Sequence, residues 1–201
     1  MRLVLILLAS YLIGSIPFSL LSSRLKGHDP RKAGTGNVGA TNALVVAGPL
    51  AGLLALAGDI GKGYLSIYLA RSYQLPILGI ALAGLAAVIG HDFSVLLRFK
   101  GGKGIATTGG ALLGIDLIFG ILAMLMWFLC MAVIRYFIPG TILALGLIPI
   151  MMLIFSWPAE YILFGLAAFF LAIYAHRFDL QKFFEGKELT IQESVAKFLK
   201  K

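Results

Sequence analysis

Apolar segments of about twenty residues recur along nearly the whole chain, and no other feature of the sequence constrains the fold as strongly. The 201 residues are 60% hydrophobic and only 13% charged. A helix needs roughly 20 apolar residues to cross the hydrocarbon core of a bilayer. The sequence therefore predicts an all-α, multi-pass integral membrane protein, with a single transmembrane domain over residues 1–201.

About seven segments have the apolar character of membrane helices. Gly114 and Asp116 interrupt the run from 103 to 135, so we divide it into two helices. The fourth and sixth segments are short, and broken or partly re-entrant helices are expected beside the polar loops. The second segment is too long for one simple helix, and we expect a bend at Gly58. The predicted spans are 3–22, 44–70, 75–97, 103–115, 117–135, 139–155 and 158–175.

The basic residues predict an orientation with the N-terminus outside and the C-terminus in the cytoplasm. Cytoplasmic segments then hold all but Arg2, Lys62 and Arg71 of the 17 Lys and Arg residues, as the positive-inside rule requires. Residues 177–201 mix apolar and charged side chains, which predicts an amphipathic tail on the cytoplasmic surface, near anionic lipid. The net charge of +8 is thus an orientation signal, and nucleic acid is not an expected partner.

The polar residues of the chain collect in two glycine-rich loops, and the first loop covers residues 34–42. Its glycines let backbone N–H groups come close to a ligand, and its Thr and Asn side chains add hydrogen-bond donors. Arg31 and Lys32 precede the loop, and the apolar run after it would begin a helix whose N-terminus favours an anion. The candidate ligands for a phosphate or carboxylate are Gly34, Thr35, Gly36, Asn37, Gly39, Thr41 and Asn42.

The first loop also matches G-x-G-x-x-G, the fingerprint of dinucleotide-binding Rossmann units. No predicted strand precedes it and no βαβ pattern surrounds it, which argues against that fold. A flexible loop between two helices is the plain alternative to an anion site.

The second loop covers residues 98–104 and follows Gly90-His91-Asp92. Two lysines bracket a diglycine just before a predicted helix, which combines backbone donors, a helix N-terminus and mobile cations. Glycine follows Lys103 where a Walker A sequence has Ser or Thr, so this is not a P-loop. A basic loop that only sets orientation is the alternative. The candidate ligands are His91, Lys100, Gly101, Gly102, Lys103, Gly104 and Thr107.

Two further groups of charged residues lie in or beside the spans. Asp59 and Lys62 are three residues apart inside one span, so we expect them to neutralise each other, with bracing of the loop that ends at Asn42 as an alternative. His176 is a candidate general base, an anion donor when protonated, or an interfacial histidine, and Arg177 follows it directly. The single cysteine, Cys130, excludes a disulfide within the chain and a cysteine-based metal site.

Several of these motifs together resemble the integral-membrane acyl-phosphate:glycerol-3-phosphate acyltransferases of bacteria (PlsY type). The resemblance covers nearly the whole chain. It rests on Gly14-Ser15-Ile16-Pro17-Phe18, Asp59-Ile60-Gly61-Lys62-Gly63, residues 90–107, His176-Arg177 and Gly186-Lys187-Glu188.

The resemblance implies transfer of an acyl chain from acyl phosphate to glycerol 3-phosphate at the cytoplasmic face of the bacterial inner membrane. It implies no metal and no other cofactor, and the soluble enzyme that makes acyl phosphate becomes an expected partner. For this reaction we hypothesise catalytic roles for Thr35, Lys103 and His176, with Asp179 or a substrate phosphate as the alternative base. Thr141, Arg177 and Asp179 join the candidate substrate-binding residues.

The sequence departs from the family pattern at several polar positions. Thr35 stands where the family usually has Ser, and Val45 where it usually has an arginine that looks like a phosphate ligand. Asp179 replaces an asparagine, Lys182 replaces an arginine, and in the segment 138–141 only Thr141 keeps a hydroxyl. A transporter or a non-catalytic binder of a phosphorylated solute or lipid is therefore kept as the alternative function.

Overall fold

The protein is described by a computed structural model that covers residues 1–193. Within that range the chain forms α-helices and one short 3₁₀ helix, and no strand is present. The helices are α1 (Arg2–Gly14), α2 (Phe18–Arg24), α3 (Ala40–Ala47), α4 (Pro49–Ser72), α5 (Ile77–Asp92), the 3₁₀ helix (Val95–Leu97), α6 (Ile105–Ile115), α7 (Leu117–Ile134), α8 (Phe137–Ile154) and α9 (Ala159–Phe184).

Six helical segments in the described range are long and apolar enough to cross a membrane. They are Arg2–Arg24, Pro49–Ser72, Ile77–Leu97, Leu117–Ile134, Phe137–Ile154 and Ala159–Phe184. A shorter apolar helix, α6, has 11 residues and is only about 16 Å long at 1.5 Å per residue. The predicted all-α membrane fold is confirmed, while the number of crossings and the orientation stay predictions.

The long apolar stretch at 44–70 is broken, but not where we expected. Gly48 has a φ of +87°, which ends α3, and Pro49 begins α4 as its first residue. Helix α4 continues through Gly58, where a bend is predicted, without a break. A Cβ at Gly58 would collide with the ring of Phe18, so this glycine makes room for an aromatic side chain.

The predicted break between residues 103–115 and 117–135 is confirmed. Helix α6 ends at Ile115 and α7 begins at Leu117. Asp116 lies between them, and its Oδ1 accepts a hydrogen bond of 2.7 Å from the backbone N–H of Phe119. Asp116 therefore caps the first turn of α7, a role that a short acidic side chain performs well.

The chain forms two compact units that divide after Gly120. In the first unit α4 is the central helix and packs against α1, α2, α3, α5 and α6, while α1 also packs against α5. In the second unit α8 packs against α9. The division does not test the expected single domain over 1–201, which stays a prediction.

Glycines let α4 and α6 approach each other closely. A Cβ at Gly63 would collide with the carbonyl oxygen of Thr107, and one at Gly110 would collide with that of Ile60. Between membrane helices lipid offers no hydrophobic driving force, so close backbone contact of this kind provides the packing energy. Helices α4 and α6 are thus closely packed in the unit that carries both polar loops.

The last helix continues past the predicted end of its span at residue 175 and ends at Phe184. After it the chain returns to the start of α8. Glu188 Oε1 accepts a hydrogen bond of 3.1 Å from the N–H of Ile138, and the N–H of Ile191 donates to the carbonyl of Arg135. Part of the predicted tail at 177–201 is therefore helix α9, and its residues 194–201 lie outside the described range.

Candidate functional site

The first loop is organised by the side chain of Asn42, which is only 2% exposed. Asn42 Oδ1 accepts the N–H of Thr35 at 2.9 Å. Its Nδ2 lies 2.7 Å from the carbonyl oxygen of Pro30, 2.9 Å from that of Asn37 and 3.2 Å from that of Ala33. Both polar atoms of the Asn42 amide therefore contact the backbone of the loop. We assign Asn42 to stabilising the loop, whereas the sequence analysis lists it as a candidate ligand.

The conformation of the first loop depends on glycine at two positions. Gly34 and Gly36 have φ values of +62° and +75°, a region that other residues rarely adopt. A Cβ at Gly34 would also collide with Oδ1 of Asn42. The loop leaves Thr35 and Thr41 exposed and Asn37 half-buried beside Gly39, the residue just before α3. The first-turn amides of α3 have no partner within the helix, as at any helix N-terminus.

The second loop is held by backbone carbonyls at the end of α5. The N–H of Gly101 donates to the carbonyl of Asp92 at 3.0 Å, and the N–H of Gly102 donates to the carbonyl of His91 at 3.0 Å. Both diglycine amides are thus used inside the protein, contrary to the expectation that they bind a phosphate. Gly104 has a φ of +72° and turns the chain into α6, whose first-turn amides become the candidate donors.

The two loops contact each other in the first unit. A Cβ at Gly102 would lie 2.8 Å from the carbonyl oxygen of Val38, in the middle of the first loop. Ser19 Oγ donates to the carbonyl of Gly39 at 3.1 Å and ties the first loop to α2. The N-termini of α3 and α6 therefore belong to one polar region, as the sequence predicts from the two glycine motifs.

The basic side chains around this region differ in their exposure and in their contacts with acidic residues. Lys100 is exposed and Lys103 is partly exposed, and both belong to the second loop. On the other side, Arg31 donates from Nε and from its guanidinium NH₂ to both oxygens of Asp29, at 2.9 and 2.7 Å. The hydrogen bonds from Arg31 hold the pKa of Asp29 well below its usual range. The second loop is the more basic of the two, because residues 34–42 contain no Lys or Arg and Arg31 beside them is paired.

A cluster of buried ionisable side chains lies under the second loop. Asp59 and Lys62 of α4 are 2% and 3% exposed, and His91 and Asp92 of α5 are 7% and 6% exposed. Lys62 Nζ lies 2.7 Å from Asp59 Oδ1 and 2.5 Å from His91 Nδ1. The predicted pairing of Asp59 with Lys62 is confirmed. The ring of His91, a candidate ligand in the sequence, contacts this ion pair, with Nδ1 also 3.4 Å from Asp59 Oδ1.

Thr107, another candidate ligand, is fully buried on α6 at the contact with α4. Its position does not suit direct contact with a solvent-borne substrate. No group of three or more His, Cys, Asp or Glu side chains within residues 1–193 could hold a metal ion. The expectation that the protein uses no metal and no other cofactor stays a prediction.

The remaining predicted residues belong to the second unit. His176 is buried on α9, and its Nδ1 lies 3.6 Å from Asp179 Oδ2. Thr141 is buried on α8, where its Oγ1 accepts a hydrogen bond of 3.1 Å from Trp127 Nε1. Arg177 is exposed, donates to the carbonyl of Tyr174 and packs its guanidinium on aromatic rings, 4.1 Å from the ring centre of Tyr174.

Sequence reasoning missed three supporting contacts. It did not give Asn42 its organising role, which rests on contacts with backbone groups 5 to 12 residues away. It did not find Trp127 as the donor to Thr141 or Glu188 as the acceptor at the start of α8. Nothing in local sequence could have indicated the last pair, because 50 residues separate its members.

Comparisons with known proteins agree with one another. The chain matches the family profile described as glycerol-3-phosphate acyltransferase over residues 4–186. A protein of Aromatoleum aromaticum named glycerol-3-phosphate acyltransferase is 40% identical over 197 residues, which cover 96% of this chain and 99% of that protein. A protein of Moorella thermoacetica named glycerol-3-phosphate acyltransferase 2 is 40% identical over 191 residues, covering 94% and 98% of the two chains.

The fold is also similar to that of a solved protein. The crystal structure of PlsY (YgiH), an integral membrane glycerol 3-phosphate acyltransferase, in its glycerol 3-phosphate form matches with a TM-score of 0.88 and 30% identity. The match covers 95% of this chain and 96% of that one. A structure of PlsY in the lysophosphatidic acid form matches with a TM-score of 0.87 and 29% identity, covering 94% and 95%.

Proposed function

We propose, from the premise that this chain belongs to the glycerol-3-phosphate acyltransferase family, that its acyl donor is an acyl phosphate. The chain is an integral membrane acyltransferase that acylates glycerol 3-phosphate. An acyl phosphate is an activated mixed anhydride, so the enzyme needs no covalent intermediate. The acceptor hydroxyl oxygen attacks the acyl carbon, the bond from that carbon to the phosphate oxygen breaks, and the hydroxyl proton passes to a base. The products are lysophosphatidic acid and inorganic phosphate.

One observation carries this proposal: the two glycine loops meet in the first unit. The reaction must hold two phosphate groups close together, and their charges repel each other. Two adjacent helix N-termini with lysines beside them offset that repulsion. The contact between Val38 and Gly102 brings the N-terminus of α3 near that of α6, with Lys100 and Lys103 on the connecting loop.

We assign the reacting groups within this region as follows. Lys103 stabilises the phosphate that leaves, because an ammonium is a mobile point charge on a long stem. The exposed hydroxyl of Thr35 donates a hydrogen bond to a phosphate oxygen. The first-turn amides of α3 and α6 complete the two anion sites. The proposed binding residues around them are Gly34, Gly36, Asn37, Gly39, Thr41, Lys100 and Gly104.

The base is proposed separately, because its protein candidates lie in the second unit. His176 is the first candidate, with Asp179 beside it to orient the imidazole ring. A substrate phosphate is the other candidate, since its second pKa of about 6 suits proton acceptance near neutral pH. Replacement of His176 by Ala separates the two, because a substrate phosphate would sustain turnover in the variant.

The cellular setting follows from the charge distribution and the donor. We place the chain in the inner membrane of a bacterium with both loops at the cytoplasmic face, where the positive-inside rule puts their basic residues. Acyl phosphate would then come from a soluble enzyme on that side. Membrane lipid surrounds the chain and receives the product.

The decisive experiment mixes purified protein with palmitoyl phosphate and glycerol 3-phosphate and measures inorganic phosphate above the hydrolytic background. We expect release that depends on the acceptor, and lysophosphatidic acid as the second product. Lys103→Ala and Thr35→Ala are expected to abolish turnover while the protein keeps its helical content and its elution volume in detergent. Near-normal rates in either variant would contradict the site assignment. Acylation that proceeds only with another activated donor would contradict the donor.

A further inference from the structure

The strongest feature that the reaction does not use directly is the buried cluster of Asp59, Lys62 and His91. Each of the three side chains is at most 7% exposed. A buried charge is costly in a membrane protein, and such residues persist where they have a specific partner and a function. Simple neutralisation would need only one acid and one base. Neutralisation does not explain why His91 belongs to the cluster or why its ring lies between Lys62 and the second loop.

Three polar atoms of the protein surround the ammonium group of Lys62. An ammonium has three N–H donors. Its Nζ lies 2.7 Å from Asp59 Oδ1, 2.5 Å from His91 Nδ1 and 3.3 Å from the carbonyl oxygen of Ile16. The last contact is at the break between α1 and α2, where that carbonyl precedes Pro17. Lys62 thus joins α4 to α5 and to the α1–α2 break.

His91 contacts both Lys62 and the second loop. His91 Nδ1 faces the ion pair, 2.5 Å from Lys62 Nζ and 3.4 Å from Asp59 Oδ1. Nε2 faces the loop, since a Cβ at Gly102 would collide with it. The carbonyl of His91 accepts the N–H of Gly102, and the next carbonyl, that of Asp92, accepts the N–H of Gly101. The diglycine therefore lies against both the ring and the backbone at the end of α5.

We propose that Asp59, Lys62 and His91 are positioning residues that fix the second loop, and through it the ammonium group of Lys103. The cluster acts through His91: Lys62 sets the orientation of the ring, and the ring and carbonyl of His91 set the position of Gly102. Lys103 follows Gly102 directly, so a shift of the diglycine displaces the cation. The inference rests on the proposed function for the role of Lys103, but the placement of the loop is measurable without turnover.

The first test replaces Lys62 by Met, which keeps the length of the side chain and removes its donors. We expect kcat/KM for glycerol 3-phosphate to fall on the order of 10- to 100-fold, as when a supporting partner of a site is lost. Amide hydrogen exchange in a peptide covering residues 98–104 is expected to accelerate, because the amides of Gly101 and Gly102 lose their fixed acceptors.

Arg71→Met is the matched control. Arg71 is also on α4, and its guanidinium also reaches a backbone carbonyl, that of Ile115, at 2.6 Å. That contact lies at the opposite end of α6 from the second loop. The control is expected to leave exchange in 98–104 and kcat/KM for glycerol 3-phosphate at their wild-type values. Equal acceleration of exchange at 98–104 in both variants would overturn the proposal.

The second test pairs Lys62→Met with Asp59→Asn. Removing both members of a buried ion pair is often nearly neutral for stability, whereas removing one is costly. We expect the double variant to unfold at a higher temperature than Lys62→Met alone, yet to keep the fast exchange at 98–104 and the lowered kcat/KM. If both loop protection and kcat/KM return to wild-type values, the cluster only neutralises charge and the proposal fails. A wild-type protein without acyl-phosphate activity would count against the proposed function and leave the exchange test standing.

Discussion

The two glycine loops meet in space but are stabilised in different ways. The first loop is organised from within, by one amide side chain that contacts four backbone groups between Pro30 and Asn37. The second loop is organised from outside, by two carbonyls at the end of α5 and by a charged cluster below them. Every backbone group that Asn42 contacts lies within 12 positions of it in the sequence. The groups that hold the second loop lie on two separate helices, α4 and α5.

The largest effect that separates the loops is expected from single Gly→Ala changes. A Cβ at Gly102 would collide with the His91 ring, whereas a Cβ at Gly36 meets nothing nearer than 3.7 Å. We expect Gly102→Ala to lower kcat/KM on the order of 100-fold, the effect of misplacing a reacting group by about 1 Å. Gly36→Ala should cost only the strain of its positive φ, about 1–2 kcal/mol of unfolding free energy. Steady-state kinetics measures the loss of activity, and thermal unfolding in detergent measures the loss of stability. Equal losses of kcat/KM in the two variants would show that the two loops do not differ in this way.

A smaller effect is expected at Asn42, with an unusual order of variants. Asn42→Ala removes the hydrogen bonds that hold the first loop and should destabilise the protein by about 2–4 kcal/mol. Asn42→Asp keeps the acceptor for Thr35 but turns a negative charge toward three carbonyl oxygens. The Asp variant is therefore expected to unfold at a lower temperature than the Ala variant. The reverse order would mean that the acceptor, and not the donors, organises the loop.

A third change adds a positive charge on α3, just after the first loop, and leaves the contacts of Asn42 in place. Val45 is 40% exposed on α3, in the turn after the loop, so an arginine can be accommodated there. Val45→Arg is expected to lower the KM for glycerol 3-phosphate by about tenfold, since a charge-assisted hydrogen bond to phosphate contributes 1.5–3 kcal/mol at most. Val45→Gln serves as the control of similar bulk without charge. An unchanged KM in the Arg variant would place Val45 away from the phosphates.

The smallest effect is expected at the exposed pair of Asp29 and Arg31, upstream of the first loop. Because the folded pKa of Asp29 is lowered, its contribution to stability is present above the unfolded pKa and is lost as the pH falls through the folded value. Asp29→Asn should therefore lower the unfolding temperature only slightly near pH 7. The difference should shrink in acid and in about 1 M salt. A large, salt-independent loss would show that the pair supports the first loop.

The sequence predicted the class of fold and the location of the polar region, because both follow from short-range patterns. Apolar length predicts membrane helices, and Asp116 marked the break that the structure has. The break at Gly48 was missed although Gly-Pro is a strong boundary signal, since the hydropathy of the surrounding run concealed it.

Finer roles within the candidate site could not be predicted, because they depend on which backbone groups are already bonded. The diglycine amides look like phosphate donors in a sequence, yet the carbonyls of His91 and Asp92 accept them. The pairing of Asp59 with Lys62 follows from helical spacing, whereas the contact of Lys62 with His91 joins two helices. Spacing within one helix is visible in a sequence, and the register between two helices is not.

The return of the chain after α9 has a practical consequence for anyone who handles this protein. The family match ends at residue 186, which invites trimming or joining a fusion partner there. Glu188 accepts the amide of Ile138, and Ile191 donates to Arg135, so both contacts lie beyond that boundary. A cut or fusion at residue 186 is therefore expected to remove the acceptor of the Ile138 N–H in the first turn of α8, so a purification tag belongs beyond residue 191.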